Sequence, residues 1–198
     1  MYLDEVKARF SRRGVLRREK VVPCTEEEVR SLEDTLGFSL PATYREFLLW
    51  MGHARGAGNF LRGSDCFYEW LPLIQGWAVE LLEENGNPEV LPEDAFVFYM
   101  HQGYRFYFLR LSEGDNPPIY YYTEVEQEYR VTNGQKVAVS GLRFELIHQT
   151  LADFLDEEIS HYLEAQRSMK ELHLQLPRWY VDFRRWLTDF RNARRGCA

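Results

Sequence analysis

Leu36-Gly37-Phe38-Ser39-Leu40-Pro41-Ala42-Thr43-Tyr44-Arg45-Glu46-Phe47-Leu48-Leu49-Trp50-Met51-Gly52 is the stretch on which the fold turns. It reads as one helix ending at a glycine and a second opening at a proline. Gly37 suits the left-handed position just past a helix, and Pro41 suits a first helical turn, where its missing N–H costs nothing. Tyr44, Phe47, Leu48 and Met51 then recur at i, i+3, i+4 and i+7, which makes one apolar face. Upstream, Thr25-Glu26-Glu27-Glu28 is a capping box: Thr25 caps, Glu28 reaches back, and the acids meet the positive end of the helix dipole. Val29, Leu32 and Leu36 extend the apolar face, so helices are predicted over 26–36 and 41–51.

Working outward, Leu3, Val6 and Phe10 predict a short N-terminal helix, followed by a basic connector that includes Arg12, Arg13, Arg17, Arg18 and Lys20. After Met51, four glycines between Gly52 and Gly63 mark a loop. Ile74, Trp77, Ala78 and Leu81 form a further helical face, ended by Asn85-Gly86-Asn87-Pro88. From residue 95 the period changes to two. Ala95–Met100 and Tyr104–Leu111 predict an antiparallel hairpin around His101-Gln102-Gly103. Ile119–Val125 follows Pro117-Pro118, and Asn133-Gly134 joins Tyr129–Thr132 to Lys136–Ser140 in the strongest hairpin signal of the chain. Thr150-Leu151-Ala152-Asp153 caps another helix, and a last one is predicted over 178–194 beyond Leu176-Pro177. Helices, then about five strands in series, then helices predict an α+β fold around a central antiparallel sheet. Three segments are expected: an N-terminal helix and connector at 1–23, a main domain at 24–166, and a basic, aromatic extension at 167–198.

The 198 residues carry a net charge of −7, unevenly spread. Residues 1–20 hold seven basic side chains against three acidic, and residues 167–198 hold eight against three. Residues 21–166 hold nine against 25, an acidic middle that serves solubility alone or repels nucleic acid and attracts basic protein surfaces. No apolar run approaches the ~18 residues of a membrane span. The N-terminal residues lack the apolar core of a signal peptide, and three scattered cysteines, Cys24, Cys66 and Cys197, read as reduced thiols. A cytoplasmic location is the expectation.

Catalytic signatures are missing. The five histidines form no His-Glu-x-x-His helix, and there is no Cys-x-x-Cys and no Gly-x-Ser-x-Gly. Gly56-Ala57-Gly58 follows a helix rather than a strand and lacks Gly-Lys-Ser/Thr, so it reads as a turn-rich connector rather than a phosphate loop. No metal or cofactor is implied. Asp153, Asp156, Glu157 and Glu158 lie opposite Phe154, Leu155 and Ile159 and read as a solvated face. Candidate partner-binding residues are then of three kinds. Glu124, Glu126 and Glu128 alternate as an acidic ridge if they share a strand. His53 and Arg55 sit in the glycine-rich loop and could touch an anionic partner. Ten of the 27 residues from Phe96 to Tyr122 are aromatic. Neighbours alternate along a strand, so the run Tyr120-Tyr121-Tyr122 should send Tyr121, or the pair flanking it, towards a groove, a helix or water. Last, Trp179, Phe183, Trp186 and Phe190 form an aromatic stripe on the predicted C-terminal helix. That stripe could pack on its own domain, dock a partner or self-associate, or with its arginines meet an anionic membrane or nucleic acid.

The pattern Leu-Gly-x-x-Leu-Pro-x-x-Tyr-x-x-Phe-Leu at residues 36–48 resembles the opening signature of the SUKH superfamily. The aromatic hairpin from Phe96 to Phe108, Pro118-Ile119-Tyr120 and Leu151-Ala152-Asp153-Phe154-Leu155 resemble its later elements, in the same order. Gly52-His53-Ala54-Arg55-Gly56 departs from the family's usual Asn-Gly, and the last ~35 residues lie outside the resemblance. The resemblance implies strands curved against helices around a groove, and binding rather than catalysis. It implies either an immunity-type protein that occludes a toxin enzyme, whose basic site would suit the acidic middle, or an intracellular regulatory scaffold like the yeast cell-wall-synthesis regulators. The scaffold would dock through the C-terminal helix.

Overall fold

The corner predicted between two helices is formed. In a computed structural model the chain opens with α1 (Asp4–Arg12), α2 (Glu26–Leu36) and α3 (Ala42–Met51). The structure describes residues 1–12, 21–53, 61, 64–86, 90–125, 127–132 and 135–175, of which 127–132, 135–140 and 169–175 are described by their backbone. Thr25 accepts from the Glu28 N–H at 3.2 Å while the Glu28 carboxylate accepts from the Thr25 N–H at 2.7 Å, which completes the capping box. Gly37 closes α2 at φ +80°, a conformation that glycine adopts without steric cost. Glu33 then fastens the corner. Its carboxylate accepts from the Leu40 N–H at 2.7 Å and pairs with Arg45 of α3.

α1 is part of the same packing. Leu3, Val6 and Phe10 are buried, and Glu46 of α3, only 7% exposed, accepts from the Tyr2 and Leu3 N–H groups and from Lys7 Nζ at 2.7 Å. A carboxylate thus satisfies donors left open at the start of α1.

After α3 come β1 (Ser64–Asp65), α4 (Leu71–Glu84), β2 (Ala95–His101), β3 (Arg105–Arg110), a 3-10 turn at Leu111–Glu113, β4 (Ile119–Thr123), β5 (Gln127–Thr132), β6 (Gln135–Ser140), β7 (Glu145–His148) and α5 (Leu151–Gln175). The fold is α+β, with an antiparallel five-stranded sheet in the order β1-β2-β3-β4-β7. Its membership differs from the expected series of strands. The hairpin flagged by Asn133-Gly134 pairs Thr132 with Gln135, but β5 and β6 form a two-stranded sheet of their own. The turn residues themselves lie outside the described residues. Their places in the five-stranded sheet are taken by β1 and β7, of two and four residues.

Both faces of the sheet are covered, which explains its aromatic content. On one face Tyr99, Tyr107 and Tyr121 form a cross-strand ladder, each ring 4.9 Å from the next, and Phe154 of α5 packs on Tyr99 and Tyr107. A register shift between Val97 and Tyr99 turns Phe98 and Tyr99 alike towards Phe154. On the other face Phe106, Phe108 and Tyr122 gather around Phe144. Tyr44 of α3 meets Phe96 and Phe98 edge-on or tilted, which ties the helical corner to the sheet.

The chain divides into two units, Met1–Ile159 and Ser160–Ala198. The second is described as far as Gln175, where it is helical. No helix among the described residues is long and apolar enough to cross a membrane.

Candidate functional site

α4 has two unlike sides. Leu71, Ile74, Ala78, Leu81 and Leu82 face inward. Gln75 reaches the sheet and hydrogen-bonds both backbone groups of Val97. Outward, Trp70 and Leu73 are 40% and 49% exposed, and Trp77, placed on the inner face by the sequence, is half-buried at the boundary, 6.2 Å from Trp70. Between α4 and the β2–β3 turn lies a groove of about 290 Å³, lined by Asp65, Trp77, Glu80, Leu81, Glu84, Met100, Gln102 and Gly103. Three carboxylates, an indole and a thioether line it, with no lysine or arginine among the lining residues. Burial raises the pKa of Asp65, against a smaller opposing pull from His101. A cation is the group this groove would best accommodate.

A second constellation sits where α3 ends. A β-bridge between Val22 and His53, with the His53 N–H donating to the Val22 carbonyl at 3.0 Å, brings His53 beside the start of α2. Its Nδ1 lies 3.0 Å from Glu69 and its Nε2 3.3 Å from Glu28. Burial opposes the charged ring, but the hydrogen bonds to Glu69 and Glu28 and the charges of those carboxylates together outweigh it and raise the pKa. The Thr25 backbone N–H, and then His53, lower that of Glu28. Cys24 lies alongside, buried, its thiol pushed up to about 12 by burial and by the nearby Glu28 and Glu69 charges. One donor atom each from Cys24, Glu28 and His53 falls within 4.8 Å of the others.

The residues expected to bind a partner fare differently. Tyr121 is 1% exposed, because both sheet faces are covered and strand alternation sends neither it nor Tyr122 to solvent. Tyr120 is the half-exposed one, its hydroxyl donating to Glu113 at 2.8 Å. Glu124 is exposed but lies in a bend beyond β4, where its N–H bonds the Tyr104 carbonyl, whereas Glu128 belongs to β5 of the other sheet. Glu124 and Glu128 therefore do not share a strand. His53 is committed to two carboxylates of its own chain rather than offered to an anion. Asp156 and Glu157 are not a plain solvated face either: Asp156 pairs with Arg9, and Glu157 lies 3.9 Å from His148. Glu126, Arg55, Trp179, Phe183, Trp186 and Phe190 lie outside the described residues. Sequence reasoning missed Asp65, Trp77, Glu80 and Glu84 as a group. The available signal was Trp70, Leu73 and Trp77 at i, i+3 and i+7, a second apolar face on an already amphipathic helix.

A family model described as SMI1 / KNR4 family (SUKH-1) matches residues 23–157. The chain belongs to that family. No curated relative matches it. The SUKH-1 match begins just before Cys24 and ends within α5, so it takes in both constellations and the whole five-stranded sheet. Membership of SUKH-1 is consistent with an immunity-type or regulator-like module and with a protein partner.

Proposed function

We propose that this SUKH-1 chain is a non-catalytic, cytoplasmic protein-binding module of the immunity type, which neutralises a toxin enzyme by covering its basic site. The observation that supports the reading is the α4 groove: Asp65, Glu80 and Glu84 around Trp77, without a cation among the lining residues. A lysine or arginine of the partner entering there gains charge pairing and the face of an indole together. The exposed Trp70 and Leu73 extend the contact with the apolar and aromatic surface typical of interface centres. The acidic excess of residues 21–166 adds steering, which speeds encounter with a basic surface and weakens as salt rises.

The test compares three full-length baits in the native lysate: wild type, E80K with E84K, and E124K with E126K and E128K. Captured proteins are identified by mass spectrometry at low and high salt. A single basic enzyme held by wild type, lost with E80K/E84K and eluted by salt is the expected result. Equal capture by the E80K/E84K chain would move recognition off α4.

A further inference from the structure

We propose that Cys24, Glu28 and His53 form a binding site for a zinc-class transition metal, with Glu69 orienting the histidine. The donor set is sulfur, oxygen and nitrogen, the mixture that zinc, cobalt(II) and iron(II) accept and that calcium and magnesium do not favour. The three donor atoms already lie within 4.8 Å of one another. A tetrahedral metal with bonds of about 2.0–2.3 Å holds its ligand atoms roughly 3.3–3.8 Å apart, so small side-chain rotations close the site.

The imidazole is set up for this role. Nε2 faces Glu28 at 3.3 Å, while Nδ1 lies within hydrogen-bonding distance of Glu69 on the other side, at 3.0 Å. A carboxylate that accepts from the far nitrogen of a ligating histidine fixes its tautomer and its direction. Pairing of a protonated ring with two carboxylates would explain His53 and its neighbours but leaves the third corner without a purpose. That corner holds a thiol, and among the described residues its sulfur makes no hydrogen bond. The sulfur is seated so close to Gly52 that a Cβ there would lie 2.3 Å from it. The backbone holds all three residues in place. The Cys24 N–H donates to the Leu48 carbonyl at 2.9 Å, the Val22–His53 bridge fixes the histidine, and the capping box fixes Glu28. Bound metal would clip the start of α2 to the end of α3, with a fourth position left for water or for a partner's side chain.

The experiment is a cobalt(II) titration of the full-length, reduced chain, followed by absorption. The expected result is saturation at one equivalent, with a near-ultraviolet thiolate-to-cobalt band and visible bands of four-coordinate cobalt, both erased by zinc. Cys24→Ser should abolish the near-ultraviolet band and Cys197→Ser should leave it. Glu69→Gln should weaken zinc binding about 10–100-fold. Because Cys24 is buried, the more exposed Glu28→Gln provides a second ligand variant: zinc should raise the melting temperature of wild type and fail to do so at equal concentration in Glu28→Gln. A thiolate band that persists in Cys24→Ser, no thiolate band at one equivalent, or equal zinc stabilisation of Glu28→Gln would overturn the proposal.

Discussion

Gln75 completes the hydrogen bonding of Val97 as a neighbouring strand would. Its side-chain amide donates to the Val97 carbonyl at 2.6 Å and accepts from the Val97 N–H at 3.0 Å. β1 pairs with Met100 and His101, so among the described residues the outer edge of β2 at Val97 has no strand beside it. Val97 is fully buried, and an open strand edge is a template for unwanted pairing. Gln75→Leu should therefore cost about 1–3 kcal/mol, as two buried backbone groups lose their partner. Urea denaturation measures the loss, and light scattering at raised concentration should show the variant associating where wild type does not.

Glu46 should be among the least replaceable charges. It is buried and accepts from two backbone N–H groups and from Lys7. Glu46→Gln keeps the shape but loses the charge-assisted bonds, at about 1.5–3 kcal/mol. Lys7→Ala should cost less, because both backbone donors stay satisfied. A double-mutant cycle by chemical denaturation gives the Lys7–Glu46 coupling directly.

Phe154 meets Phe98, Tyr99, Tyr107 and His148. Phe154→Ala should destabilise by about 3–5 kcal/mol through lost burial and the cavity left behind. Phe154→Leu should cost less than half as much, and a loss of equal size would show that the packing around α5 is not as described.

Asp94 gives the fold an acid-sensitive contact. Arg110, and then Ser112, hold its pKa at about 2, below the usual 3.8. A depressed carboxylate stabilises the fold above its unfolded pKa, and the gain is lost as pH falls from near 4 through 2, where the unfolded chain binds the proton first. Arg110→Ala should flatten the rise in melting temperature between pH 2 and 4 and leave the slope near neutrality unchanged. Both partners are partly exposed, so added salt should shrink the difference.

What the sequence made legible was what depends on near neighbours. Gly37 and Pro41 mark a corner because their backbones permit little else, and Thr25 and Glu28 cap because they lie three residues apart. Strand membership needed more. β7 was hidden because Glu145-Leu146-Ile147-His148 is short and shows no clean alternation, and β1 because two residues have no period. The departure of the chain after Thr123 depends on a backbone bond from Leu142 to Thr123, which no local pattern announces. Tyr121 lies on the face that Phe154 of α5 covers, one of the alternatives left open by alternation, which tells which residues share a face but not what covers it. The meeting of Cys24, Glu28 and His53 depends on a bridge between Val22 and the end of α3, a tertiary event without a motif.

α4 answers to two masters. Leu71, Ile74, Ala78, Leu81 and Leu82 are buried and Gln75 bonds the sheet, while Trp70, Leu73, Glu80 and Glu84 are exposed and Trp77 is half-buried. A change in the first set is a change in folding, and a change in the second leaves the fold largely indifferent. The outward letters of this helix are thus free to be rewritten on a scaffold that need not be reinvented each time.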